Sequence, residues 1–255
     1  MTPHLLVLDG DNLAHRLYHA VVDRPAAEAF GFALGRLRKT FSPTHAVAVF
    51  DPPDGSSWRR AIWPSYKQRA EKADSLLGML QDSRKQCTFA GFAVSIDDNL
   101  EADDLIGAYT EAAVREQMQV TIVSGDKDLV QLVRDDPARV RMHDQVRKLD
   151  WGPDDVRERF GVPPERIPDL FALIGDSTDG YPGVPRIGAK TAVPLLLEHH
   201  GLDGLLANKN LVRSTRIMKL LREHEDTART CYTLAKLRSD VALPIPLNGC
   251  MLRRL

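Results

Sequence analysis

Cysteine is scarce in this chain: 255 residues hold only Cys87, Cys231 and Cys250. They are odd in number and scattered, which excludes a disulfide framework and a thiolate metal site; free thiols in a reducing compartment are expected. Long apolar runs are missing too. None approaches the roughly 20 residues that cross a bilayer, and Met1 to Leu8 lacks the basic flank and cleavage site of a leader. The expectation is a cytoplasmic monomer with no membrane partner. Repeats and low-complexity tracts are absent, and neither charge dominates, since 34 Lys and Arg stand against 35 Asp and Glu.

What the chain does have is acids at particular places. Three short apolar runs read as strands buried on both faces: His4 to Leu8, Ala46 to Phe50 and Val120 to Val123. The first ends in Asp9 and the second in Asp51; the third runs into Ser124-Gly125-Asp126-Lys127-Asp128. Helical patterns at 26–41, 75–90 and 101–117 alternate with them, which predicts an α/β fold with a central, mainly parallel sheet flanked by helices. Ligands of such sheets bind outside the carboxyl ends of the strands, where these acids fall. From Trp151 onward the pattern turns to helices at 154–160, 167–174, 189–199, 215–221 and 225–237. The expected layout is an α/β body over 1–150 and a helical subdomain over 151–255.

Two further acidic groups stand out. Glu101, Asp103 and Asp104 open a helix; Asp98-x-x-Glu101 fits a capping box, which would account for one or two acids but less well for three. Asp176 and Asp179 sit three apart, either as Asx-turn residues or as ligands; Asp126 and Asp128 could likewise belong to a solvated turn. Gathered together, such carboxylates would repel one another unless cations neutralised them. An oxygen-only set favours Mg²⁺ or Mn²⁺, and two ions about 3.5–4 Å apart serve phosphoryl displacement. Setting these nine carboxylates aside leaves 26 acids against 34 Lys and Arg, so a basic surface around an acidic site is compatible with the net charge of −1. Directly after Asp179 comes a Gly/Pro-punctuated hairpin, Gly183-Val184-Pro185-Arg186-Ile187-Gly188, then Ala189-Lys190-Thr191. Gly188 there would let a phosphate approach main-chain N–H groups at a helix start, with Lys190 adding charge.

These motifs, in this order, resemble the 5′-nuclease family of flap endonucleases and 5′–3′ exonucleases, including the stand-alone bacterial members and the nuclease domain of family-A DNA polymerases. The matching segments are Leu8-Asp9-Gly10-Asp11-Asn12-Leu13 with Arg16 and His19-Ala20; Phe50-Asp51 with Trp58-Arg59-Arg60 and Tyr66-Lys67; Glu101 to Ile106; Ser124 to Leu132; Phe160 to Ala192; and Leu237 to Val241. The resemblance spans nearly the whole chain and implies a PIN-like body with a helix–three-turn–helix DNA-binding subdomain. It places a first metal on Asp9, Asp51, Glu101 and Asp103, with Asp104 beside it, and a second on Asp126, Asp128, Asp176 and Asp179. It assigns Arg59, Tyr66, Lys67 and Arg69 to the base of a helical arch, the tyrosine stacking on a base and the cations polarising the scissile phosphate. It puts Gly183, Gly188, Lys190 and Thr191 on duplex DNA, and K⁺ on the carbonyls of Val184 and Ile187.

The activity implied is structure-specific cleavage of branched, flapped or nicked DNA with two Mg²⁺ or Mn²⁺ ions. No polymerase module follows Leu255, so a free-standing nuclease is expected. The chain departs from the pattern after Lys67, where the usual prolines are missing and a short or open arch is expected. Pro194 falls inside the helix after Lys190, where it should kink or shorten it. The competing readings are a PIN-type ribonuclease, which lacks the hairpin, and a catalytically weak branched-DNA-binding protein, which would not need the full acid set.

Overall fold

The computed structural model describes residues 2–20, 25–68 and 73–252. In chain order the elements are β1 (His4–Asp9), α1 (Gly10–Ala20), α2 (Ala26–Phe41), β2 (His45–Val49), α3 (Arg59–Ile62), α4 (Asp74–Phe89), β3 (Ala93–Ser95), α5 (Ala102–Arg115), β4 (Gln119–Val123), β5 (Val140–Asp144), β6 (Leu149–Trp151), α6 (Pro153–Phe160), α7 (Ile167–Ile174), α8 (Ala189–Glu198), α9 (Leu202–Ala207), α10 (Thr215–Glu223) and α11 (Glu225–Ala235). They divide into two units. One holds residues 2–57, 73–152 and 238–252; the other holds 58–68 and 153–237. The chain therefore passes between units more than once, rather than at a single point near 150. No helix among the described residues is long and apolar enough to cross a membrane.

The first unit is built on a six-stranded sheet in the order β3-β2-β1-β4-β5-β6. All pairings are parallel except β5 with β6. The apolar runs explain the centre, because Leu5 to Leu8 and Ala46 to Val49 are buried completely, as strands covered on both faces must be. Leu6, Leu8, Ala46 and Ala48 alternate onto one face and share a core with Leu13, Phe30, Leu34, Leu37 and Leu80 of α1, α2 and α4. α5 packs against β1, β2 and β4. The strand order makes β1–β4 the switch point: the chain runs from β1 outward through β2 to β3, then crosses back to β4 on the other side of β1.

The returning tail completes this unit. Arg238 N–H donates to the Asp104 carboxylate at 2.9 Å, Tyr109 Oη donates to the Ile245 carbonyl at 2.9 Å, and Met251 bridges to His45 at the head of β2.

The second unit is helical and centres on α7, an almost wholly buried helix packed by α8 and α11. Past its end, two glycines make a backbone-on-backbone contact. Gly175 and Gly183 both have positive φ, and a Cβ on Gly183 would lie 2.2 Å from the Gly175 nitrogen. Only glycine fits at either position. α8 runs on through Pro194 to Glu198, so the proline lies inside the helix without ending it.

Candidate metal centre and nucleic-acid interface

Asp9 ends β1 at the switch point. Its carboxylate accepts the Asn12 N–H at 3.0 Å and the Ser124 hydroxyl at 2.7 Å. Burial pushes its pKa up to about 7; those hydrogen bonds oppose the rise, and the charges of Asp126 and Asp51 add to it. Asp9 thus feels the acids that follow two other strands.

Asp51 is held from both sides. Its N–H donates to Asp11 at 2.6 Å, and its own Oδ1 accepts the Ala102 N–H at 2.9 Å. Asp51 therefore caps α5 from another part of the chain, where a negative charge is favoured by the helix dipole. This corrects the capping-box expectation. Glu101 is the N-cap residue but makes no side-chain cap bond, and nearby Asp97, not Asp98, accepts the Asn99 and Leu100 N–H groups. Glu101 instead accepts the Ser57 hydroxyl at 2.9 Å.

The segment after β4 is fixed by short contacts. Asp126 N–H donates to the Ser124 hydroxyl, Asp128 N–H donates to Asp126, and Gly125 N–H donates to the Asn12 side chain, each at 3.0 Å. A Cβ on Gly125 would lie 1.7 Å from the Arg16 guanidinium, which is paired with buried Asp144 at 2.8 Å, so a larger residue there would have to displace that side chain. At Gly10 the obstacle is fixed: a Cβ would lie 2.4 Å from the Phe50 ring. That ring is fully buried, and the Arg84 guanidinium lies 5.2 Å from its centre, so the residue before Asp51 has nowhere to move.

The residues fit a hard divalent cation. The side chains at the strand ends are oxygen donors without His or Cys, and Asp9 has the raised pKa that a cation would reverse. As they stand, no three His, Cys, Asp or Glu side chains among the described residues converge into a ready-made ion site. Asp103 is partly exposed at the start of α5. Asp104 is different. It is 0% exposed and accepts the Arg238 N–H, which makes it an anchor for the returning tail. Asp11, Asn12 and Ser124 were not singled out as site residues from sequence, although Asp9-Gly10-Asp11-Asn12 carried the signal: short polar side chains clustered directly after a buried strand.

In the second unit, Asp176 and Asp179 are both buried. Asp176 accepts the Thr178 N–H at 2.8 Å, so it does form an Asx turn. Asp179 accepts the Tyr66 hydroxyl at 3.0 Å, and Lys67 Nζ lies 4.0 Å away. The main chain adds to this clamp: Lys67 N–H donates to the Asp179 carbonyl, and the Trp63 indole N–H donates to the Gly180 carbonyl at 2.9 Å. Lys67 takes a positive φ to do so.

Two expectations for this segment are corrected. Tyr66 is only 2% exposed and does not offer a ring face for stacking. Arg59 is also 2% exposed; its Nε donates to the Leu234 carbonyl at 2.8 Å, and it lies over the Trp58 ring, 4.6 Å from the centre. It caps the C-terminal end of α11 instead of facing a phosphate. Arg69 and the start of the arch segment, residues 70–72, lie outside the described residues.

The hairpin is held from inside its own unit. Val184 and Ile187 are buried, the Val184 N–H donates to the Leu173 carbonyl, and the Ile187 N–H donates to the Val184 carbonyl. Gly183 serves this packing. Gly188 does not: it is exposed at the N-cap of α8, its φ is −100°, and nothing lies within 4 Å of a Cβ placed there. Glycine is among the residues that an N-cap accepts, and among the described residues nothing crowds position 188. Lys190 is exposed in the first turn, the helix end where a cation is least favoured, and Thr191 N–H donates to the Gly188 carbonyl.

Acids at the switch point of a parallel sheet mark the candidate site of the first unit, and a glycine-opened hairpin leading into α8 marks that of the second. Comparisons identify the class. Residues 4–161 match the 5′–3′ exonuclease N-terminal resolvase-like domain, and 162–255 match the 5′–3′ exonuclease C-terminal SAM fold. The chain is 39% identical to flap endonuclease Xni of Serratia proteamaculans over 245 residues, covering 95% of this chain and 96% of that protein. It is 36% identical to flap endonuclease Xni of Yersinia pseudotuberculosis over the full length of both. It is also 33% identical to DNA polymerase I of Rhizobium leguminosarum, covering 98% of this chain but spanning only 26% of the polymerase. Its fold is similar to T5 5′-exonuclease, solved with bound zinc, at a TM-score of 0.81 and 22% identity over 92% of this chain and 90% of that one. It is similar also to the catalytic core of Rad2 in complex with DNA substrate, at a TM-score of 0.60 and 13% identity over 94% and 80%. The chain belongs to the 5′–3′ exonuclease family and is a nuclease.

Proposed function

We propose that this protein is a structure-specific 5′ nuclease that cuts flapped, nicked or otherwise branched DNA with two divalent ions, Mg²⁺ or Mn²⁺. The observation that carries it is Asp9: a carboxylate at the switch point, raised to about 7 by burial and by Asp126 and Asp51. The full-length likeness to two flap endonucleases supports the choice of substrate.

Asp9, Asp51, Glu101 and Asp103 would hold one ion and Asp126 and Asp128 another; Asp176 and Asp179 are the acids that the family likeness assigns to metal in the second unit. Bound there, the ions would supply the Lewis-acid polarisation for in-line phosphodiester hydrolysis. The protein's own part is preorganisation. Asn12 and Ser124 fix the rotamer of Asp9, the Ala102 N–H fixes Asp51, Ser57 fixes Glu101, and Tyr66 fixes Asp179. Lys67, partly exposed and close to Asp179, is the cation that would meet a phosphate in its unit. Gly188, Lys190 and Thr191 would grip a duplex phosphate at the N-terminus of α8, with Gly183 shaping the hairpin that leads to it. K⁺ at Val184 and Ile187 rests on the family likeness; the Val184 carbonyl already accepts the Ile187 N–H, leaving one lone pair for an ion.

The test is to map products on 5′-flap, nicked and single-stranded DNA with Mg²⁺ and with Mn²⁺. Cuts near the single-strand/duplex junction, abolished by chelation, are expected. Cleavage of RNA alone, or junction binding without cleavage in either metal, would overturn the reading.

A further inference from the structure

With the Tyr66 ring buried, the 58–68 segment needs another aromatic if it is to meet a base. Trp63, three residues earlier, is only partly buried and lines a surface cavity of about 530 Å³ within the second unit. Ile174, Pro182 and Tyr181 share the wall, and Asp176 and Ser177 supply its polar edge. The volume is in the range of small-ligand pockets, which are mostly apolar with a few placed polar groups. Trp63 is also preorganised: its indole N–H is anchored on the Gly180 carbonyl at 2.9 Å, so the ring is held without spending its face. Gly180 in turn has a positive φ, and a Cβ on it would lie 3.0 Å from the Ser65 carbonyl oxygen.

We propose that this cavity is a nucleobase pocket, in which an unpaired base of the DNA substrate stacks on Trp63. The proposal rests on the nuclease reading above. Asp176 belongs both to the lining and to the acids assigned there to the metal, so a nucleotide next to the scissile phosphate is the part of the substrate nearest this pocket. A base has the right chemistry: a flat apolar face for Trp63 and Pro182, and ring N–H groups or amines for Asp176 and Ser177. The pocket tolerates any base, because stacking uses the π-face that all bases share. The role that the family likeness gave to Tyr66 thus passes to Trp63, while Tyr66 acts through Asp179.

The experiment measures binding of a labelled flap substrate by anisotropy in EDTA, and single-turnover cleavage in Mg²⁺. Abasic residues are placed singly at each position on either side of the junction. For the unaltered protein, one position should weaken binding or slow cleavage about tenfold, within what one base–aromatic stack supplies. Trp63→Leu should lose about the same factor on the intact substrate and lose nothing more at that position; Trp63→Phe, which keeps a ring, should restore most of the effect. Tyr66→Phe should keep the sensitivity to position. Circular dichroism of each variant separates loss of stacking from loss of fold, and the Phe variant keeps the test usable if the Leu variant unfolds. If the unaltered protein cleaves junctions but shows no sensitive position, or if Trp63→Leu keeps the full sensitivity, the pocket is not a base site. If it neither binds nor cuts junction DNA, the nuclease reading fails instead.

Discussion

The Tyr66 hydroxyl donates to the Asp179 carboxylate over 3.0 Å, in a buried contact between residues 113 apart in sequence. A hydrogen bond to a carboxylate is worth about 1.5–3 kcal/mol, enough to hold one rotamer of Asp179. Tyr66→Phe should therefore leave the ring packed but free the acid. The Mg²⁺ concentration for half-maximal cleavage should rise severalfold, with binding of branched DNA in EDTA unchanged. Asp179→Ala should nearly abolish cleavage while sparing that binding. A Mg²⁺ titration of both variants checks this, and wild-type turnover by Asp179→Ala would remove the acid from the metal assignment.

Gly10→Ala should destabilise the first unit. The new Cβ would press on the Phe50 ring, which is buried and backed by Arg84. Overpacking of a filled core costs about 1–3 kcal/mol. Urea unfolding measures the loss, and because Phe50 precedes Asp51, the affinity for Mg²⁺ should fall in the same variant.

Lys190→Ala should weaken DNA binding more than it slows the chemical step. The side chain is exposed at the positive end of α8 and makes no ion pair among the described residues, so removing it costs the fold nothing. A cation that neutralises one phosphate of duplex DNA adds about 0.9 to the steepness of log K against log salt, and the variant's slope should be flatter by that amount. An unchanged slope with unchanged affinity would show that Lys190 touches no phosphate.

Stability should fall on mild acidification, partly through His4. Its Nε2 hydrogen-bonds with Thr121 Oγ1 at 2.9 Å and its Nδ1 with the Phe41 carbonyl at 3.2 Å. Burial holds its pKa below the ordinary 6.5. The folded protein then binds fewer protons than the unfolded chain, so this contribution is complete above pH 6.5 and is lost as pH falls from there towards the folded value. Comparing melting temperatures at pH 7.5 and 5.5 should show a smaller drop for His4→Asn than for the unaltered chain. Some drop should remain, because His45 is also shifted down by burial.

Much of this was legible in the sequence. The three central strands and most of the long helices were readable because full burial and amphipathic spacing leave strong patterns; α2 begins and ends where its periodicity does, at Ala26 and Phe41. β3 and β6 were not, being three residues each, and neither was β5, an alternating strand whose burial depends on its neighbours. The acids at strand ends could be placed because the end of a buried run is a position that sequence fixes. The roles of Tyr66, Arg59 and Asp104 could not. Whether a tyrosine faces solvent or an aspartate 113 residues away is settled by tertiary packing, and the motif that contains it reads the same either way. Asp104 beside Asp103 shows this most plainly, since one residue of helical rotation separates a partly exposed acid from a buried anchor.

The threading of the chain makes the protein indivisible by a single cut. A fragment ending at 152 would keep the sheet but lose the tail that satisfies Asp104 and Tyr109, and its residues 58–68 would be stranded without Leu234, Asp179 and Gly180. The complementary fragment would lack Arg59, leaving the end of α11 uncapped. The family's two domain models meet at 161 and 162, yet neither half of the polypeptide closes on itself. Insertion, circular permutation or domain grafting must respect three chain segments in one unit and two in the other, and a catalytic half cannot be lifted out by trimming an end.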